Sequence, residues 1–93
     1  MDTIKEIAEV LSETDDPQLI EHFLRSILTD YEAGEISSRW EIVKLLGEGM
    51  SQRKISDKLG TSLCKITRGS KELKKKNSSF REMMEKYRSL QKN

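Results

Sequence analysis

Ninety-three residues, 34% hydrophobic and 35% charged with a net charge of +1, make one ordinary domain, which excludes a large barrel or a two-domain nucleotide-binding enzyme. So little apolar material leaves a marginal core for a monomer, so a second subunit is expected to complete it. The lone cysteine, Cys64, forms no internal disulfide and fits a reducing cytoplasm. No run approaches the roughly 18 apolar residues of a membrane span, and the opening MDTIKEIAEV lacks an apolar signal region. One His and one Cys do not supply a Cys/His zinc site. A Ser-His-Asp triad could use only His22, and nothing near it resembles a nucleophile elbow, so no enzyme is expected.

Strand signals are missing, because no period-2 alternation persists. Helical spacing recurs instead, and the fold class read from it is all-α. Ile4, Ile7, Ala8 and Leu11 form a first stripe, closed around residues 12–16. Asp16-Pro17 reads as an N-cap followed by proline at the first helical position. Leu19, Ile20, Phe23, Leu24, Ile27 and Leu28 carry the second stripe. Thr29 or Asp30 caps a short third helix, which Gly34 weakens. Ile36, Trp40, Val43 and Leu46 make a fourth stripe, ended by Gly47 and Gly49. Ser51 caps a short fifth helix with Ile55 and Leu59. Gly60 stops it, and Thr61 or Ser62 starts a sixth. After the polar break from Lys74 to Ser79, Phe80, Met83, Met84, Tyr87 and Leu90 form a last stripe over about residues 78–91.

The near-zero net charge hides a division. Residues 1–50 hold twelve Asp and Glu against four Lys and Arg, a net of −8. Residues 51–76 hold nine Lys and Arg against two acids, a net of +7. A compact basic segment beside an acidic one suggests a phosphate-facing surface on a scaffold that faces elsewhere.

The basic segment SQRKISDKLGTSLCKITRGS, residues 51–70, has the pattern of a helix-turn-helix. Such a pair needs a small residue where the helices cross, here Ser56. It needs a turn residue tolerant of positive φ, here Gly60. It needs inward anchors, here Ile55 and Leu59 on the first helix and Leu63 or Ile66 on the second. Helices this short lean on a tertiary scaffold. Ser62, Cys64, Lys65 and Arg68 then face outward, able to reach base edges or phosphates in a major groove. Amides at Ser51, Gln52 and Arg53 can hold a phosphate, and Arg53 can offer guanine two donors.

On these residues the chain resembles the tryptophan-repressor family of bacterial DNA-binding regulators. The matching text is Met50-Ser51-Gln52-Arg53, Leu59-Gly60, Ile66-Thr67-Arg68-Gly69-Ser70 and Leu73-Lys74. A weaker likeness runs upstream through Ser38-Arg39, Ile42-Val43 and Leu45-Leu46. The resemblance implies an all-helical intertwined homodimer that binds double-stranded operator DNA as a transcriptional repressor. It assigns Arg53 to a guanine, Leu63, Cys64 and Lys65 to the groove, and Thr67, Ser70 and Lys74 to phosphates. Gln52 and Ser62 adjoin these. In the family, free L-tryptophan is corepressor, with its indole between two arginines. Arg39 and Arg68 match those arginines, Leu28 and Thr29 match the helix end that meets the ammonium, and Gly69 matches the floor beside the indole.

Two departures stand against the family pattern. Glu72 occupies a position where a small hydroxyl residue often helps hold the ammonium. The helix from Ile36 to Leu46 is one residue shorter than in the best-known repressor. A second reading therefore keeps the fold and DNA binding but drops tryptophan. A recombinase arm would need a metal-binding catalytic domain, and a helical adaptor would show no salt-dependent DNA affinity. Trp40 reads as core, and Phe80, Met83, Met84 and Tyr87 as core or dimer face. Cys64 reads as a surface thiol. Lys74–Lys76 read equally as phosphate contacts or as solvated charge.

Overall fold

The computed structural model describes residues 2–92, and the described residues are helical with turns and no strand. Six helices follow in order: α1 (Thr3–Ser12), α2 (Pro17–Ile27), α3 (Asp30–Gly47), α4 (Gln52–Leu59), α5 (Leu63–Lys74) and α6 (Ser79–Gln91). The all-α expectation holds. The chain divides into two compact units, residues 1–35 and 36–93, and the division falls inside α3.

In the first unit, side-chain caps set the helix starts. Asp2 accepts from the Lys5 amide at 3.2 Å, and Asp16 accepts from the Gln18 and Leu19 amides at 3.1 and 3.3 Å. Pro17 sits at the head of α2, where its missing N–H costs nothing. Neither α1 nor α2 has a buried residue. Their apolar faces border an open groove of about 400 Å³ lined by Ile7, Val10, Leu11, Leu19, Ile20 and Phe23, together with Glu6 and Thr14. Val10 is 66% exposed and Leu19 57%.

Seven apolar segments were expected, and the described residues form six helices. The third and fourth join into α3, which passes through Gly34 without a break. A glycine inside a helix costs about 1 kcal/mol relative to alanine, which a good cap can offset. Thr29 supplies that cap. Its hydroxyl accepts from the Glu32 amide at 3.1 Å, and the Glu32 carboxylate accepts from the Thr29 amide at 2.9 Å. This is a capping box, and it satisfies two otherwise orphaned donors. The backbone ladder starts at once, with Ala33 N–H donating to the Thr29 carbonyl at 2.8 Å.

The second unit is built around the C-terminal half of α3. The stripe expected there was Ile36, Trp40, Val43 and Leu46. In the structure Ile42, Val43 and Leu45 are buried, while Ile36 is exposed. The buried sector is wider than one stripe because α3 has neighbours on more than one side, as a central helix must. Ile42 and Leu45 form the core with Ile55 and Ile66, and Leu46, Met50 and Leu59 pack on it. Trp40 stacks on Phe80 at 5.9 Å between ring centroids and meets Tyr87 edge-on at 5.8 Å, which joins α3 to α6. On α6, Met84 is buried and Met83 exposed.

Charged groups finish this unit. Lys44 lies 3.1 Å from Glu41 and 5.5 Å from the Tyr87 ring centroid. The Glu41 hydrogen bond holds the Lys44 ammonium above the ordinary lysine value, against some desolvation. The Arg88 guanidinium lies against Gly47 so closely that any Cβ there would collide with it. A cation at the C-terminal turn of α3 complements the helix dipole.

Candidate nucleic-acid interface

Two short helices and a three-residue turn build the basic part of the molecule. Ser51 caps α4 by accepting from the Lys54 amide at 3.2 Å. Gly60 ends the helix with φ of +65°, a left-handed conformation that glycine adopts without penalty. Its amide still donates to the Ser56 carbonyl at 2.9 Å. Ser56 does more than leave room: its hydroxyl donates to the Thr61 carbonyl at 2.7 Å and closes the turn. Of the two candidates to start the next helix, Ser62 is the cap, accepting from the Lys65 amide at 3.3 Å.

The inward anchors are Ile55 and Ile66, both fully buried. The choice between Leu63 and Ile66 is thereby settled, since Leu63 is 49% exposed. Ser62, Cys64, Lys65, Thr67, Arg68 and Lys74 are all exposed on α5 or its cap, as is Arg53 on α4. Ser70 is half-buried. Gln52 is half-buried too, and its side-chain carbonyl accepts from the Thr67 hydroxyl at 3.1 Å. That bond brings together two residues expected at the DNA surface, one from each helix.

The helix pair is fixed to the scaffold where α5 meets α3. A Cβ built on Gly69 would stand 3.1 Å from Ile42 Cγ2, 3.5 Å from Val43 Cγ2 and 3.7 Å from Leu46 Cδ1. Gly69 therefore lets two helices approach closely, a packing role its sequence position did not reveal. Arg68 adjoins Gly69, and Arg39 lies one turn before Ile42 and Val43 on the same face of α3. Both arginines are exposed. Glu72 is half-buried, and its carboxylate accepts from Lys75 Nζ at 2.8 Å. Leu28 and Thr29 belong to the first unit, Leu28 as the C-cap of α2 and Thr29 in the capping box.

Sequence reasoning missed Arg81. Its Nη1 donates to the Leu73 carbonyl at 2.8 Å and occupies one of the acceptors at the end of α5. Ser78 is buried and caps α6 by accepting from the Arg81 amide at 3.0 Å. Only spatial proximity carries the Arg81 bond, so no periodicity announced it. Among the described residues no group of His, Cys, Asp and Glu could hold a metal ion. None of their helices is long and apolar enough to cross a membrane.

Residues 2–88 match the family described as Trp repressor protein. The chain is 37% identical over 71 residues to a Trp operon repressor homolog of Chlamydia trachomatis serovar L2, covering 71% of this chain and 76% of that one. It is 38% identical over 77 residues to a Trp operon repressor homolog of Chlamydia caviae, covering 82% and 76%. It is 35% identical over 81 residues to a Trp operon repressor homolog of Vibrio parahaemolyticus, covering 86% and 79%. No solved structure is a significant match to the chain.

Proposed function

The chain belongs to the Trp repressor protein family, and we propose that it works as a homodimeric, DNA-binding transcriptional repressor that uses L-tryptophan as corepressor. The observation that carries this reading is the α4–Gly60–α5 pair. Its two buried isoleucines lock it to α3 while its basic face stays in solvent. An α-helix of that kind fits the major groove, with residues at its N-terminal turn against base edges. Arg53 reads a guanine, Gln52, Ser62, Leu63, Cys64 and Lys65 line the groove, and Thr67, Ser70 and Lys74 meet phosphates.

The dimer is supported by the exposed apolar faces of α1 and α2, which are large for so small a chain. Two recognition helices on a two-fold axis must meet successive major grooves about 34 Å apart. Tryptophan would favour the arrangement with that spacing, which requires that it bind that arrangement better than others. The support for the ligand is the resemblance, in which Arg39 and Arg68 match the two arginines that flank the indole. Guanidinium planes stack on an indole, and arginine binds a carboxylate in a fork. By the resemblance, Leu28 and Thr29 match the helix end that meets the ammonium, and Glu72 stands where a small hydroxyl residue often helps hold it.

A second reading keeps DNA binding without tryptophan. The half-buried Glu72 carboxylate, already engaged by Lys75, favours it. A mobility shift on duplexes selected by the protein itself, with and without millimolar L-tryptophan, separates the two. Tighter binding with tryptophan, lost in Arg68→Ala, supports the corepressor. Equal shifts support the second reading.

A further inference from the structure

The recognition helix is longer than its base-reading part. From Ser62 to Lys75 it rises by about 20 Å, at about 1.5 Å per residue. A major groove is about 12 Å wide. With the N-terminal turn in the groove and the helix axis lying across it, the last turn and a half passes over a phosphate strand. The side chains on that overhang decide whether it is held there or repelled.

They are basic and face outward. Cys64, Arg68, Lys71 and Lys75 follow at spacings of four, three and four, which is one helix face, and all are exposed. Ile66, Gly69 and Leu73 make the opposite, inward face. Lys76 continues the exposed cluster into the turn. The turn is tethered, because Arg81 of α6 donates to the Leu73 carbonyl. The cluster therefore has a fixed place at the end of α5. Its one acid, Glu72, pairs with Lys75 at 2.8 Å, so Lys71 and Lys76 carry the larger share of uncompensated charge.

We propose that Lys71, Lys75 and Lys76 bind phosphates of duplex DNA that flank the base-reading segment, extending the contact beyond the groove occupied by the start of α5. The proposal rests on the DNA-binding reading given above and deepens it. These contacts carry no sequence information, so they raise affinity for every duplex alike. They also make the site longer than the base pairs it reads.

The test uses the full chain on random-sequence duplexes, with affinity measured across a salt series. For the Lys71→Gln/Lys75→Gln/Lys76→Gln variant, the log–log salt slope is expected to become shallower by about 2.7 in each protomer, because each of the three phosphate contacts contributes about 0.9. The triple Lys→Arg variant keeps the wild-type slope. Circular dichroism confirms that both variants remain helical. A Gln variant that binds with the wild-type slope overturns the proposal and leaves the DNA reading standing. A wild-type chain that binds no duplex overturns both.

Discussion

The Thr67 hydroxyl on α5 donates to the side-chain carbonyl of Gln52 on α4 at 3.1 Å, across fifteen residues of sequence. Thr67 is exposed and Gln52 only half-buried, so the bond is not needed to bury a polar group. Its effect is to set the start of α4, and with it Arg53, relative to the recognition helix. Thr67→Val removes the donor and keeps the shape. The expected result is DNA affinity lower by at least about fivefold, from one ordinary hydrogen bond of about 1 kcal/mol together with the phosphate contact proposed for Thr67. Thr67→Ser should restore it. Binding isotherms at fixed salt check this, and thermal melts should show Thr67→Val lower by a few degrees, because the same bond also contributes to folding.

Gly60 holds φ of +65°, and a Cβ there would meet no neighbour. The cost of Gly60→Ala is therefore conformational and not steric. It should destabilise the chain by about 1 kcal/mol, which urea unfolding would register as a lower midpoint at unchanged slope.

Gly34 and Gly69 are both helical, yet they should answer alanine in opposite directions. Nothing lies within 4 Å of a Cβ at Gly34, so Gly34→Ala should stabilise α3 by up to about 1 kcal/mol. At Gly69 the new methyl meets Ile42 Cγ2 at 3.1 Å, so the tightly packed α3–α5 contact must give by a few tenths of an ångström. Gly69→Ala should cost about 1–3 kcal/mol, the usual range for overpacking. Thermal unfolding of the two variants side by side decides it.

Ile55 and Ile66 are the anchors of the helix pair, each fully buried. Truncating either to alanine should cost about 2–5 kcal/mol. Hydrogen exchange should show the loss most strongly in α4 and α5, since these helices are too short to persist without the contact.

The Thr29 amide and hydroxyl hold the Glu32 carboxyl below its ordinary range, through the backbone hydrogen bond first and the side-chain bond second. The folded-state value is lowered, so this contribution is complete above the unfolded glutamate value of about 4.3 and is lost as pH falls through the folded one. Stability should drop on the acid side, and Glu32→Gln should flatten that part of the pH profile. Urea midpoints between about pH 3 and 6 measure it.

Much of this fold was legible because its signals are local. Asp16-Pro17, Ser51, Gly60 and Ser62 mark helix ends by side-chain and backbone chemistry within three residues, and each is where the chain turns. The outward residues of α5 follow once Ile66 is buried, because helical periodicity fixes the rest. Gly34 misled because a propensity of about 1 kcal/mol was weighed without the capping box beside it. Ile42 and Leu45 lie off the expected stripe, since a single stripe describes a helix with one packed face. The Gln52–Thr67, Arg81–Leu73 and Arg88–Gly47 contacts join positions far apart in sequence. No spacing rule points to them, and only the packed structure brings them together.

A titration of duplex DNA into the isotopically labelled full chain, followed by backbone amide chemical shifts, tests the central claim most directly. The account predicts that resonances of residues 51–76 move most, with Arg53 and Ser62–Lys65 leading and the exposed side of α1 last. Unchanged spectra at low ionic strength, or changes confined to the acidic first unit, would contradict it.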